Sequence, residues 1–198
     1  MRSSPVNRSP SSWGFQSLRN LEEIFRHYER QVTLPWRDDL AADYRVWILW
    51  YDKTLERRIR GRLFEIQDIT RRWGHGWRHL DLSRCFGVWI AKHELFAGLL
   101  DFPDEIQGLF EEFSRHVVMF VRNELRACSK DDVLALSGCG SFFGVLRVSR
   151  LVEEVAPAVP GRLLVLFPGR REAGTYRLLD AREGWNYRAT PIPPAEAN

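Results

Sequence analysis

Five apolar runs set the framework of this chain. Arg45 to Tyr51 (RVWILWY) is apolar without a break after its arginine, the pattern of a strand buried on both faces, and Asp52 follows at its carboxyl end. Trp77 to Leu82 (WRHLDL) alternates with Asp81 near its end, Asp132 to Ser137 (DVLALS) is again continuous, and Leu163 to Phe167 runs into Pro168 and Gly169. Trp185 to Ile192 is the last run and ends in prolines.

Helical spacing precedes the first run and fills the gaps between the first four. Ser17 is a candidate N-cap for a helix carrying Leu21, Ile24, Phe25 and Tyr28 to about Val32, with Pro35 beyond it. Thr54 is expected to cap a long helix in which Leu55, Ile59, Leu63, Ile66, Ile69 and Trp73 share one face, broken by Gly74-His75-Gly76. A helix after Ser83 carries Phe86, Trp89, Ile90, His93, Leu95 and Phe96 and stops near Phe102-Pro103. Asp104 is the expected cap of the next one, which keeps its period to Leu125. The turn Gly138-Cys139-Gly140-Ser141 then leads into a helix to about Val155, closed by Pro157 and Pro160.

The order β-α-β-α-α-β-α-β-β predicts an α/β fold. Its sheet is mainly parallel, of about five strands, with helices on both faces and an antiparallel C-terminal edge strand. The Ser-, Pro- and Arg-rich residues 1–14 and the end 193–198 read as flexible tails on a single α/β domain, 15–192.

Composition narrows the function classes. With 44% hydrophobic and 28% charged residues the chain is an ordinary soluble one, and no segment reaches the roughly 18 apolar residues of a membrane span. A net charge of +3 is too small to make a nucleic-acid binder without clustering. The 3 cysteines, Cys85, Cys128 and Cys139, are odd in number and far apart, which suggests neither a disulfide framework nor a zinc ribbon and fits a reducing cytoplasm. Eight Trp and 12 Phe point to a bulky core or an aromatic contact face.

Ligands of open α/β sheets bind outside the carboxyl ends of the strands. That rim would gather Asp52, Asp81, the turn Ser137, Gly138, Gly140 and Ser141, and the arginines Arg170 and Arg171. The turn stands where a P-loop would, yet Gly140 occupies the place of the lysine and no GxxxxGK[ST] occurs. Cys139 and Ser141 are candidate nucleophiles without a base. His75 and His79 sit among glycines that disfavour a helical metal pair, and His93-Glu94 lacks the second histidine of HExxH. No metal site and no cofactor is expected. A second basic feature, Arg57, Arg58, Arg60 and Arg62, suits phosphate or carboxylate recognition by a partner or a nucleic acid, but acidic residues lie among these arginines.

Three segments carry a family resemblance: YDKTLERRIRGRLFEI, SGCGSFFGVLRVSRLVEEV, and RLLVLFPGRREAGTYRLLDAREGWNYRATPI. In their wording and order, from Tyr44 to Ile192, the chain resembles the BrxB-like proteins of BREX bacteriophage-exclusion systems. The resemblance implies a non-enzymatic adaptor of a phage-defence complex that joins an AAA-type ATPase, a DNA methyltransferase and an alkaline-phosphatase-superfamily protein, with DNA contact at most indirect. No catalytic residue is carried over. Two other classes stay open: a nucleotide- or phosphate-handling enzyme, with Asp52 and Asp81 on a metal and Ser141 and Arg170 on phosphate, and a DNA-binding accessory. Oligomeric state is not legible.

Overall fold

The structure, a computed structural model, describes residues 21–179, 181 and 184–193. The expected tail 1–14, the Ser17 cap and all of the C-terminal tail except Pro193 lie outside the described residues. Pro193 itself is buried, and its carbonyl accepts a 3.3 Å hydrogen bond from Trp50 Nε1.

Five strands form the parallel body of the sheet: β1 (Val46–Tyr51), β2 (Gly76–Asp81), β3 (Asp132–Ser137), β4 (Arg162–Glu172) and β7 (Thr190–Ile192), in the spatial order β2-β3-β4-β1-β7. Every neighbouring pair along this path is parallel. The mixed character comes from β5 (Thr175–Leu178) and β6 (Trp185–Asn186), which add antiparallel to the far end of β4.

The period of two in the strands decides which core each residue joins. Trp47, Leu49, Leu164 and Leu166 face α1 (Leu21–Val32), α2 (Glu56–Gly61) and α3 (Leu63–Arg72), against Ile24, Tyr28, Ile59 and Ile66. Val46, Ile48, Leu163 and Val165 face the other way, onto α6 (Phe110–Arg126) and α7 (Val148–Val155), through Phe113, Val117, Leu151 and Val155. Each such side chain contributes roughly 1.5–3 kcal/mol by burial, so a charged residue at Leu164 or Val165 would open a core on one side of the sheet.

Several sequence expectations change. The run Trp185 to Ile192 is not one antiparallel edge strand, because it divides into β6 on the hairpin and β7, which lies parallel to β1 at the sheet edge. Pro168 and Gly169 do not end the fourth strand: Pro168 is the last residue in register with β1, opposite Tyr51, and from Gly169 the strand takes β5 as its partner. The lost proline N–H falls where the chain exchanges one neighbour for another. The long helix after Thr54 breaks at Arg62 (φ −117°, ψ 20°), after the weak helix former Gly61, and Trp73 at its end is 48% exposed. The helix after Ser83 is two short ones, α4 (Cys85–Ile90) and α5 (Phe96–Asp101). Asp104 lies in a 3-10 segment, Pro103–Leu109, and α6 begins after Leu109 instead. After β3 a 3-10 turn, Cys139–Phe142, and a loop precede α7.

The crossover after β1 packs on one face of the sheet, and those after β2 and β3 pack on the other. The loops leaving the carboxyl ends of β1 and β3 therefore part on opposite sides of β4, which lies between those strands. A crevice at such a switch point is where open α/β sheets hold ligands.

Candidate functional site

A cavity of about 450 Å³ occupies that crevice. The segment after β1 supplies Lys53, Thr54, Glu56 and Arg60, the segment after β2 supplies Ser83, and the turn after β3 supplies Gly138, Gly140 and Ser141. Pro168 and Leu179, joined by a 2.9 Å hydrogen bond from Leu179 N to Pro168 O at the base of the hairpin, form an apolar lip. Gly138 shapes the turn with φ at 76°, and a Cβ there would stand 2.6 Å from Ser83 N, so only glycine lets the loops after β2 and β3 meet.

The charged groups at the mouth are tied to one another. Asp81 accepts from Arg60 Nη2 at 2.6 Å and from Ser83 N at 2.9 Å, while the same Nη2 also reaches Ser83 Oγ at 3.1 Å. Burial pulls the Asp81 carboxyl upward, but the hydrogen bonds from Ser83 and the Arg60 guanidinium outweigh it and hold it below the ordinary carboxylate value. Glu56 accepts from the buried Tyr51 hydroxyl at 2.5 Å. Its carboxyl is raised, first by burial and then by the Asp81 charge, against the lowering pull of Tyr51 and Arg60.

Of the expected rim residues, Gly138, Gly140 and Ser141 line the cavity and Asp81 borders it through Arg60. Asp52 instead caps the turn that follows β1, accepting from Thr54 N at 2.9 Å and Thr54 Oγ1 at 2.6 Å. Ser137 is fully buried and bonded to His79 Nε2 at 2.8 Å. Arg170 and Arg171 run on into the hairpin opposite Arg177 and Tyr176 and do not line the cavity. Cys139 is wholly buried, which pushes its thiol up to about 12, the opposite of an activated nucleophile. Among the arginines, Arg57 and Arg58 are exposed, Arg60 belongs to the cavity, and Arg62 is held by Glu22 and Glu65.

No family model, curated protein or solved structure matches this chain. Its chemistry therefore has to be read from the residues. Sequence reasoning missed Lys53, Thr54, Glu56 and Ser83 as cavity residues. The signal for the first pair was present: a Lys-Thr dipeptide between a buried strand and a helix is how a phosphate-binding loop ends, here without the glycines before it.

A second feature lies on the other helical layer. Val88, Leu95, Phe96, Leu100 and Phe102 are 37–68% exposed on and beside α4 and α5, and Met119 and Phe120 are exposed on α6. A groove of about 810 Å³ between α4 and α6 has Val88, Trp89 and Phe120 in its apolar lining and Arg84, Lys92 and Glu112 around it. Among the described residues no helix is long and apolar enough to cross a membrane, and no group of three or more His, Cys, Asp or Glu is placed to hold a metal ion.

Proposed function

We propose that the chain is a cytoplasmic interaction subunit of a bacterial phage-defence complex of the BREX type, joining larger ATPase, methyltransferase or phosphatase-like proteins rather than carrying out chemistry itself. The observation that carries this reading is the exposed apolar surface of the segment between β2 and β3. Seven large hydrophobic side chains, Val88, Leu95, Phe96, Leu100, Phe102, Met119 and Phe120, stay in water there. Apolar surface gathered in one region and edged by charge is the mark of a docking site. The wording of the three segments that resemble BrxB-like proteins supports the choice of defence system. At the carboxyl-end crevice the two acids are occupied, Asp81 by Arg60 and Ser83 and Glu56 by Tyr51, which suits binding better than turnover.

The test is co-expression with the products of neighbouring genes, followed by affinity capture of the full chain. A stable complex with an ATPase, methyltransferase or phosphatase-like subunit is expected, and Leu100→Glu together with Phe102→Glu should weaken it by ~10-fold or more, as for hot-spot residues. A chain that elutes alone beside every neighbour, or a complex indifferent to both substitutions, refutes the assignment.

A further inference from the structure

We propose that the crevice at the carboxyl ends of β1, β3 and β4 binds a phosphate or pyrophosphate group, free or at the end of a nucleotide. Position is the first support: the crevice is the switch point of the sheet, and loops from three successive parallel strands converge on it. Size is the second, since about 450 Å³ falls within the range of small-molecule sites, roughly 300–1,000 Å³.

Donor chemistry is the third. Arg60 lines the crevice, and both of its bonds, to Asp81 Oδ2 and Ser83 Oγ, use Nη2 alone. Among the described residues its Nε and Nη1 make no other bond, so each has a proton left to donate singly to an oxyanion. Lys53 and the Ser83 hydroxyl stand on the same wall, while the single protons of the Thr54 and Ser141 hydroxyls go to Asp52 Oδ1 and to the Gly138 carbonyl. Lys53 and Thr54 follow β1 after the single residue Asp52, in the order a phosphate-binding loop uses to bring an ammonium to phosphate oxygens. The glycines that would wrap a triphosphate are absent, and in their place Tyr51 ends the strand and Asp52 caps the turn after it. Recognition is therefore by side chains, which suits one or two phosphoryl groups. With Glu56 and Asp81 beside the two cations the site discriminates by fit more than by net charge. The apolar lip of Pro168 and Leu179 gives the non-phosphate part of a nucleotide a surface to rest on.

The full chain is titrated calorimetrically with inorganic phosphate, pyrophosphate and ATP at matched ionic strength. Saturable binding in at least one arm is expected, weakened ~10-fold or more by Arg60→Gln and by Lys53→Ala, the size of a lost charge-assisted hydrogen bond. It should be unchanged by Arg150→Gln, whose guanidinium is bonded to Glu111 and Glu154 elsewhere. Pyrophosphate binding as tightly as ATP marks a free anion as the ligand; ATP binding at least ten-fold tighter marks a nucleotide. If the crevice variants fail to fold, amide shifts of the wild-type chain decide: changes centred on Thr54, Ser83 and Gly138 to Ser141 uphold the site. No saturation in any arm, equal weakening by Arg150→Gln, or shifts centred elsewhere overturns it. Because partner capture is measured without phosphate, this result stands apart from that of the docking proposal.

Discussion

Tyr28 and Thr70 tie α1 to α3 beneath the sheet, and both are fully buried. The Tyr28 hydroxyl lies 2.6 Å from Thr70 Oγ1, which in turn donates to the Ile66 carbonyl at 2.7 Å. Thr70 has one hydroxyl proton and gives it to Ile66, so Tyr28 must be the donor of the first bond. Burial holds the Tyr28 phenol well above its ordinary value, which keeps that proton in place. Tyr28→Phe deletes the donor and leaves Thr70 still bonded, a loss of about 0.5–1.5 kcal/mol. Thr70→Val deletes the acceptor and leaves a phenol O–H buried without a partner, at about 1–3 kcal/mol. The double variant places apolar groups of similar shape on both sides and is expected to be more stable than Thr70→Val alone, with a coupling of about 1 kcal/mol. Urea unfolding of the four proteins, compared at constant m, reads this directly. Additive losses, or a Tyr28→Phe cost exceeding that of Thr70→Val, would refute the donor assignment.

Two further predictions concern the hairpin and the crevice. Ala173 (φ 46°) and Gly174 (φ 83°) form a two-residue turn between the paired Glu172 and Thr175, and an alanine in this left-handed region is strained by about 1 kcal/mol. Ala173→Asn should raise the melting temperature by ~2–4 °C, and a lowered one would contradict the turn geometry. Glu56 titrates above its ordinary value of 4.5, so between that value and its raised one the folded state holds more protons than the unfolded state. Its contribution to stability is complete at low pH and is lost as pH rises through that window. For Asp81, lowered in the folded state, the sign reverses: its contribution is present above the ordinary value of 3.8 and is lost as pH falls through the lowered one. Stability measured from pH 3 to 7 should therefore change slope in opposite directions for Glu56→Gln and Asp81→Asn relative to wild type. Equal slopes would show that one of the two environments is misassigned.

The parallel body of the fold was legible because its strands are apolar without interruption. Val46–Tyr51 and Asp132–Ser137 carry no polar residue before their last positions except Asp132 at a start, and both run through the middle of the sheet. What escaped was wherever one residue served two partners. Pro168 reads as a stop in isolation, yet it is the hinge at which β4 passes from β1 to β5, and only the hairpin reveals why the strand continues. The helices at Arg62 and after Ile90 look continuous by period, but periodicity reports which face is apolar, not whether the backbone holds. Gly61 in the first case and the polar stretch Lys92 to Glu94 in the second let it part.

The crevice shows a different limit. Gly138, Gly140 and Ser141 were found because glycines at a strand end are conspicuous, whereas Arg60 was grouped with Arg57, Arg58 and Arg62 as a basic feature apart from the rim. Its true setting depends on Asp81, 21 residues away, and on the short α2 that ends before Arg62 turns off to Glu22 and Glu65. One turn of helix thus divides the arginines: Arg57 and Arg58 point to water, and Arg60 to the strand ends. Arg57, Arg58 and Arg60 share the unbroken α2, whose period of about 100° per residue spreads them around the axis instead of along one basic stripe suited to a polyanion. That period brings Arg60 alone of the three to the switch point, where Lys53 and Thr54 already stand, and it is this local geometry that favours a small phosphorylated ligand over a nucleic-acid backbone.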